Sequence, residues 1–176
     1  PAELVVLVKE ILFSQGLERA RDGLSEMIKI SLVHQPSFFA QLQLLPQKTL
    51  SDLIWQHLEQ AIQAKNQIVQ KDPYETKGLR KILNFGHTLG HVIESYYQAS
   101  HGESVLQGLY FAVEWSAKCG LLAESRREEI FKTMTSLGYQ SWLEKNQFRK
   151  IPESEAARLL VQDKKMTGEG KIDFIF

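Results

Sequence analysis

The sequence predicts an all-α, multi-helix domain, with at most short strands near Leu4–Val8 and Ile172–Phe176. Three observations carry that expectation. Apolar residues recur at three- and four-residue spacings through most of the chain, the period of a helix with one buried face. Alternating apolar and polar runs, the mark of half-buried strands, are few. The breaks between periodic segments fall on helix punctuators: Gly16, Pro36, Pro46, Pro73 and Gly138.

The elements follow in order. Residues 3–15 are apolar and read equally as strand or helix until Gly16 breaks them. Leu17 to about His34 reads as a helix with a stripe of Leu17, Ala20, Leu24, Met27, Ile28 and Leu32. On another face, Glu26 and Lys29 stand three apart, which by itself reads as an exposed ion pair. Pro36 opens a short helix over Ser37–Leu44, and Pro46 closes the segment. Thr49 or Ser51 caps a long helix reaching about Lys71. Its stripe is Ile54, Leu58, Ala61, Ile62, Ile68 and Val69, and Lys65 falls inside it. Either Lys65 snorkels to solvent along its own stem, or its ammonium points into a polar pocket between helices. Asp72-Pro73 ends this helix and Tyr74–Gly78 is a turn. Gly102–Leu122 is apolar nearly all round and is expected to be the central buried helix, with Glu103 capping it or orienting His101. Glu124–Leu137 is amphipathic and stops at Gly138. Shorter helices are expected over Gln140–Lys145 and Glu153–Gln162, then a turn at Thr167–Gly170 and a strand-like end.

At 176 residues the chain is long enough for one domain with a sizeable core, and we take residues 1–176 as that domain. Hydrophobic residues at 43% and charged residues at 24% are ordinary for a soluble globular protein. Lys plus Arg and Asp plus Glu both number 21, so no global field draws nucleic acid or an anionic membrane. No apolar run reaches membrane-span length. Glu3, Lys9 and Glu10 make the first residues unlike a signal peptide. Cys119 is the one cysteine, which excludes an internal disulfide and suits a reducing, cytoplasmic compartment. The chain begins with Pro, stops within an apolar run and lacks a Gly-rich dinucleotide-binding turn, so it is expected to be part of something larger.

The chemistry concentrates in Asn84–Val105, NFGHTLGHVIESYYQASHGESV, which holds three of the five histidines. His87 and His91 are four apart and share one face of a helix, while Phe85, Leu89, Val92 and Tyr96 form its apolar back. His101 follows on what reads as the next loop, so three imidazoles can converge. Neutral imidazole is the commonest protein ligand for zinc-like metals, although a histidine pair alone is often only a polar face. A zinc protease would carry Glu directly after the first histidine, where this chain has Thr88. Upstream, Arg80 and Asn84 extend the polar line, and arginine is the usual planar partner of carboxylate or phosphate. Lys164 and Lys165 are adjacent near the end, solvated unless an anion site lies beside them.

These motifs together resemble a known family. Arg80–Glu94, RKILNFGHTLGHVIE, followed by HGESV from His101, closely resembles the metal-binding region of 3-dehydroquinate synthase. Gly23–Lys29, GLSEMIK, is similar to that family's G-x-x-E-x-I-K segment. Lys65 corresponds to its lysine on the long helix, and Asp163-Lys164-Lys165 to its D-K-K. The matches run in family order over nearly the whole chain. The turn Glu75–Arg80 looks one residue longer than the common form, the family's N-terminal nucleotide-binding domain is missing, and the chain stops short of the usual C-terminus.

The resemblance implies roles at each matching position. Glu26, His87 and His101 match the metal ligands, for Zn2+ or another divalent ion such as Co2+. His91 matches a non-ligand active-site histidine near the substrate phosphate. Lys29, Lys65, Arg80 and Asn84 match groups that hold substrate hydroxyls, carboxylate and phosphate, and with His91 the residues Lys29, Lys65 and Asn84 are the implied catalytic set. One of Lys164 and Lys165 matches a further anion contact. The implied reaction converts 3-deoxy-arabino-heptulosonate 7-phosphate, a sugar-acid phosphate, to 3-dehydroquinate and phosphate in the shikimate pathway. NAD would be held by an N-terminal domain, not by this segment, which alone would be inactive. The full-length protein would be a cytoplasmic homodimer. The alternatives are a related sugar-phosphate cyclase, a metal-dependent polyol dehydrogenase, or a non-catalytic helical interaction domain of the same descent.

Overall fold

Helices form where the periodic segments and their caps dictate. The computed structural model describes residues 4–34, 36–43, 49–142, 150–162 and 175. Its elements are α1 (Lys9–Ser14), α2 (Leu17–His34), α3 (Pro36–Gln43), α4 (Leu50–Lys71), a 3-10 helix (Leu79–Asn84), α5 (His87–Tyr97), α6 (His101–Lys118), α7 (Glu124–Ser136) and α8 (Glu153–Gln162). No strand occurs among the described residues. Leu4–Val8 has no regular structure and its side chains are exposed, and an apolar segment becomes a strand only where a neighbour completes its hydrogen bonds. Of Ile172–Phe176 only Ile175 lies within the described residues. It is not in a strand and packs on the core. None of the described helices is long and apolar enough to cross a membrane.

The core is built around α6, which packs against α5 on one side and α2 on another, while α2 in turn packs on α4. Val105, Leu106, Leu109, Tyr110 and Val113 of α6 are all buried, as its nearly uniform apolar surface requires. Leu24 and Ile28 of α2 are fully covered, but Leu17, the first residue of its expected stripe, is exposed. Leu17 is the first residue of that helix.

Two boundaries differ from the sequence expectation for identifiable reasons. Helix α6 starts at His101, because Ser100 caps it by accepting a hydrogen bond from Glu103 N at 3.3 Å. His101 is therefore the first residue of a helix and not part of a loop. The same helix stops at Lys118, short of Leu122. Gly120, at φ +71°, lets its own N–H bond back to Ala117 O and the Leu121 N–H bond to Ser116 O, which ends the helix by a glycine C-terminal motif. The helix expected over Gln140–Lys145 is absent over Gln140–Trp142, and residues 143–149 lie outside the described residues. The buried Gln107 amide explains this, since it donates to Gln140 O at 2.9 Å and accepts from Trp142 N at 2.8 Å, holding that backbone away from helical pairing.

The break before α5 decides where the histidines sit. Gly86 has φ +77°, a conformation that side chains disfavour, and it separates the 3-10 helix from α5. The polar line from Arg80 to His91 is thus a 3-10 helix, a sharp break and a new helix. Phe85 stays outside α5 yet is buried. Backbones approach closely here: a Cβ on Gly108 of α6 would fall 1.8 Å from Gly86 O. That contact draws the start of α5 onto α6.

Candidate functional site

Three helices bring one donor group each to a common point. Helix α2 supplies Glu26, the first residue of α5 supplies His87, and the first residue of α6 supplies His101. Their ligand-type atoms all lie within 4.8 Å of one another. The Glu26 Oε1 atom is 3.5 Å from His87 Nε2 and 4.0 Å from His101 Nε2. His91, one turn along α5, is adjacent: its ring centroid is 5.4 Å from that of His87 and 6.2 Å from that of His101.

Each histidine is turned so that Nε2 faces Glu26. His87 Nδ1 is 3.3 Å from Phe85 O, and a carbonyl only accepts, so the proton sits on Nδ1 and Nε2 keeps its lone pair. His101 Nδ1 is 3.0 Å from Glu94 Oε2, an acceptor of the same kind. His87 is also held neutral. Burial lowers its pKa to about 4, with the nearby Lys29 ammonium pressing the same way against the opposing Glu26 charge.

The carboxylate is divided between two tasks. Glu26 Oε2 accepts from Lys29 Nζ at 2.7 Å, whereas Oε1 is buried with no hydrogen-bond partner among the described residues. Burial pulls the Glu26 carboxyl up, but Lys29, then His87 and Lys65, outweigh it and hold the group below its ordinary value. An ionised oxygen that is buried, unpaired and faced by two imidazole lone pairs is costly in the absence of a cation. One carboxylate and two imidazoles form a donor set that suits zinc with a position left open. The residues therefore fit a divalent metal.

Other anticipated residues are placed unevenly. Lys29 is 4% exposed, so it is not the surface ion pair that its spacing alone suggests. It lies under α2 because Leu24, Ile28 and Met27 turn that part of the helix inward. Lys65 is exposed at its position on α4 but lines a cavity of about 200 Å³ with Glu26, Lys29 and Leu83. Both sides of its stripe position thus show, an exposed side chain and a place on the cavity wall. Arg80 turns to its own loop, donating from Nη1 to Pro73 O at 3.3 Å and lying 4.0 Å from Glu75, with its buried Nε unpaired among the described residues. Asn84 ends the 3-10 helix, half-buried. Lys164 and Lys165 lie outside the described residues. Glu103 does not orient His101. Its carboxylate accepts from Gln107 Nε2 at 2.7 Å, and Glu94 is the carboxylate on the ring.

Two supporting residues had no assigned role from the sequence. Glu94 is one. Asp22 is the other, one turn before Glu26 on α2. Its Oδ1 accepts from Ser100 Oγ at 2.7 Å and from Gly102 N at 3.1 Å, so it ties the start of α6 to α2 on both sides of His101. A Cβ on Gly102 would lie 2.2 Å from Asp22 Cα, which shows how closely the helices cross there. Asp22 lay beside the GLSEMIK motif, but its partners are 78 and 80 residues away.

A family model described as 3-dehydroquinate synthase C-terminal matches residues 23–166. Among curated relatives, a 3-dehydroquinate synthase of Bartonella tribocorum is 33% identical over 162 residues, covering 88% of this chain and 42% of its own length. One from Streptococcus equi is 33% identical over 150 residues, covering 84% and 41%. One from Pyrobaculum islandicum is 32% identical over 152 residues, covering 84% and 43%. The chain thus spans about two fifths of the length of these relatives. The matched span takes in Glu26 on α2 and the whole of α5 and α6 with His87 and His101, and on that match the chain belongs to the 3-dehydroquinate synthase C-terminal family.

Proposed function

We propose that this chain is the metal- and substrate-binding half of a 3-dehydroquinate synthase, a lyase that releases phosphate from a heptulosonate phosphate as the ring closes to 3-dehydroquinate in the shikimate pathway. The observation that carries the reading is Glu26 Oε1, buried and unpaired between two imidazole nitrogens whose protons lie on the far side of each ring. Glu26, His87 and His101 are the metal ligands, for Zn2+ or Co2+. When bound, the metal polarises vicinal substrate oxygens and NAD takes up and returns a hydride.

The chain's own residues bind and orient. Lys29 and Lys65 put two ammonium groups beside the carboxylate ligand, where a doubly anionic substrate gains from fixed cations. Arg80 and Asn84 approach from the 3-10 helix to hold substrate carboxylate and phosphate, and Arg80 exchanges its Pro73 contact for the substrate. His91, next to both ligand histidines, acts on the phosphate side without entering the metal shell. One of Lys164 and Lys165 adds a further cation. NAD belongs to an N-terminal domain of the same protein, and the whole works as a cytoplasmic homodimer. Residues 1–176 are one domain of that enzyme.

The test has two parts. Zinc should bind this chain at one equivalent and be lost in His87→Ala and His101→Ala, measured by calorimetric titration. Phosphate release from the heptulosonate phosphate, with zinc and excess NAD, should be absent for the chain alone and restored by an NAD-binding half in trans. Positioning the cofactor is worth up to about 7–11 kcal/mol, which NAD free in solution does not supply. Robust turnover by the chain alone, or wild-type protein that takes up no zinc, overturns the reading.

A further inference from the structure

We propose that Glu94 is a positioning residue for the metal site. It holds His101 in the Nδ1–H tautomer and aims its Nε2 at the point shared with Glu26 and His87. The inference rests on the metal-site reading above. His101 needs such a partner more than His87 does. His87 is anchored by burial, with 11% of its side chain exposed, and by the carbonyl of Phe85 two residues before it. The His101 side chain is 47% exposed and opens α6 with the His87 and His91 rings beside it. Neutral histidine in water favours the proton on Nε2, the tautomer that would point a hydrogen at Glu26 and leave no lone pair for a metal. The carboxylate at 3.0 Å reverses that preference, because it can only accept and so requires the proton on Nδ1.

The geometry of the turn makes Glu94 the residue that can do this. Glu94 sits in the last part of α5. Gln98, at φ +53°, folds the chain back so that the first residue of α6 lies against it. Two other nearby carboxylates are engaged elsewhere, since Glu103 accepts from Gln107 and Asp22 accepts from Ser100 and Gly102. Metal-ligating histidines that donate their second nitrogen to a carboxylate lose roughly 10–100-fold in metal affinity when it is removed.

The chain should be compared with Glu94→Gln, Glu94→Ala and, as a control, Glu103→Gln. In metal-free protein, nitrogen-15 shifts of the imidazole rings report the His101 tautomer. Wild type should show Nδ1–H, and Glu94→Ala should move His101 toward Nε2–H while His87 is unchanged. Zinc affinity should fall about 10–100-fold in Glu94→Ala, less in Glu94→Gln, whose amide oxygen still accepts, and not in Glu103→Gln. An unchanged His101 tautomer with unchanged affinity in a folded Glu94→Ala protein overturns the proposal and leaves the metal-site reading standing. Two zinc equivalents in wild type, one of them lost in Glu94→Ala, overturn it differently, since Glu94 is then a ligand with His91 and His101. Wild type that binds no zinc removes the site itself.

Discussion

Asp22 shows how much of the site depends on side chains that touch no ligand position. One of its carboxylate oxygens receives two donors from the start of α6. Replacing Asp22 with Ala leaves Ser100 Oγ without its acceptor and the buried Gly102 N–H unpaired. Hydrogen bonds to charged groups contribute about 1.5–3 kcal/mol, so Asp22→Ala should cost about 2 kcal/mol in urea unfolding. Its zinc affinity should fall as well, because both of the ties that flank His101 are then lost. A variant as stable as wild type would show that the helix crossing holds without this bond. At the same scale, Glu26 and Lys29 illustrate what spacing leaves open. Three residues apart on a helix they form a surface pair in most proteins. The burial of Lys29 is set by Leu24 and Ile28 on the same turns and by what α4 and α6 place over them.

At the level of elements, the close pairing of α5 and α6 sets the distance between His87 and His101, whose ring centroids are 5.5 Å apart. That pairing depends on glycines where the backbones meet. A methyl on Gly108 would press on Gly86 O at 1.8 Å and Gly90 N at 3.0 Å, both main-chain atoms that cannot step aside as a side-chain tip would. Gly108→Ala should therefore destabilise by about 3 kcal/mol or more, at or beyond the upper end of overpacking costs, with a lowered midpoint in thermal unfolding. Gly23→Ala is the matched control, since nothing lies within 4 Å of a Cβ there and helix propensity favours alanine. Equal midpoints for the two would mean that the helices can part without cost. Helix existence was legible where the period was strong: α2 and α8 have the bounds that the pattern implied, and Thr49 caps α4 as its type suggested, whereas residues 3–15 stayed open between strand and helix. The ends of α6 moved for local reasons, the Ser100 cap and the Gly120 turn, while the helix expected from Gln140 was displaced by a distant partner, Gln107 on Gln140 and Trp142.

The whole molecule is tied on its far side by an ionic junction between α6 and α7. Arg127 Nε donates to Glu114 Oε2 at 2.5 Å, and Lys118 Nζ is 3.2 Å from Glu114 Oε1. Burial raises the Glu114 carboxyl, but the hydrogen bonds from Arg127 and Lys118 outweigh it and hold the pKa below the ordinary 4.5. A carboxyl depressed in the folded state adds stability above its unfolded pKa, and that stability is lost as pH falls through the folded value. The chain should thus lose stability on acidification from about pH 4.5 downward. Arg127→Met keeps the stem over Phe131 and should make that acid slope shallower while lowering stability at neutral pH. Melting temperature measured across the acid range checks both. An unchanged slope would assign the acid sensitivity to other groups.

Periodicity, caps and the order of the histidine, lysine and carboxylate motifs determined that the chain is helical, where its helices lie and which family it belongs to. These are local properties, set by the chemistry of residues a few positions apart. Only the tertiary structure decided that Lys29 is buried, that His101 opens a helix, and that Glu94 bonds to His101 and Asp22 to the residues on either side of it. It also decided that Glu26 keeps one oxygen unpaired. Each of these is a relation between residues distant in sequence or separated by a turn, and it exists only once α2, α5 and α6 have packed on one another.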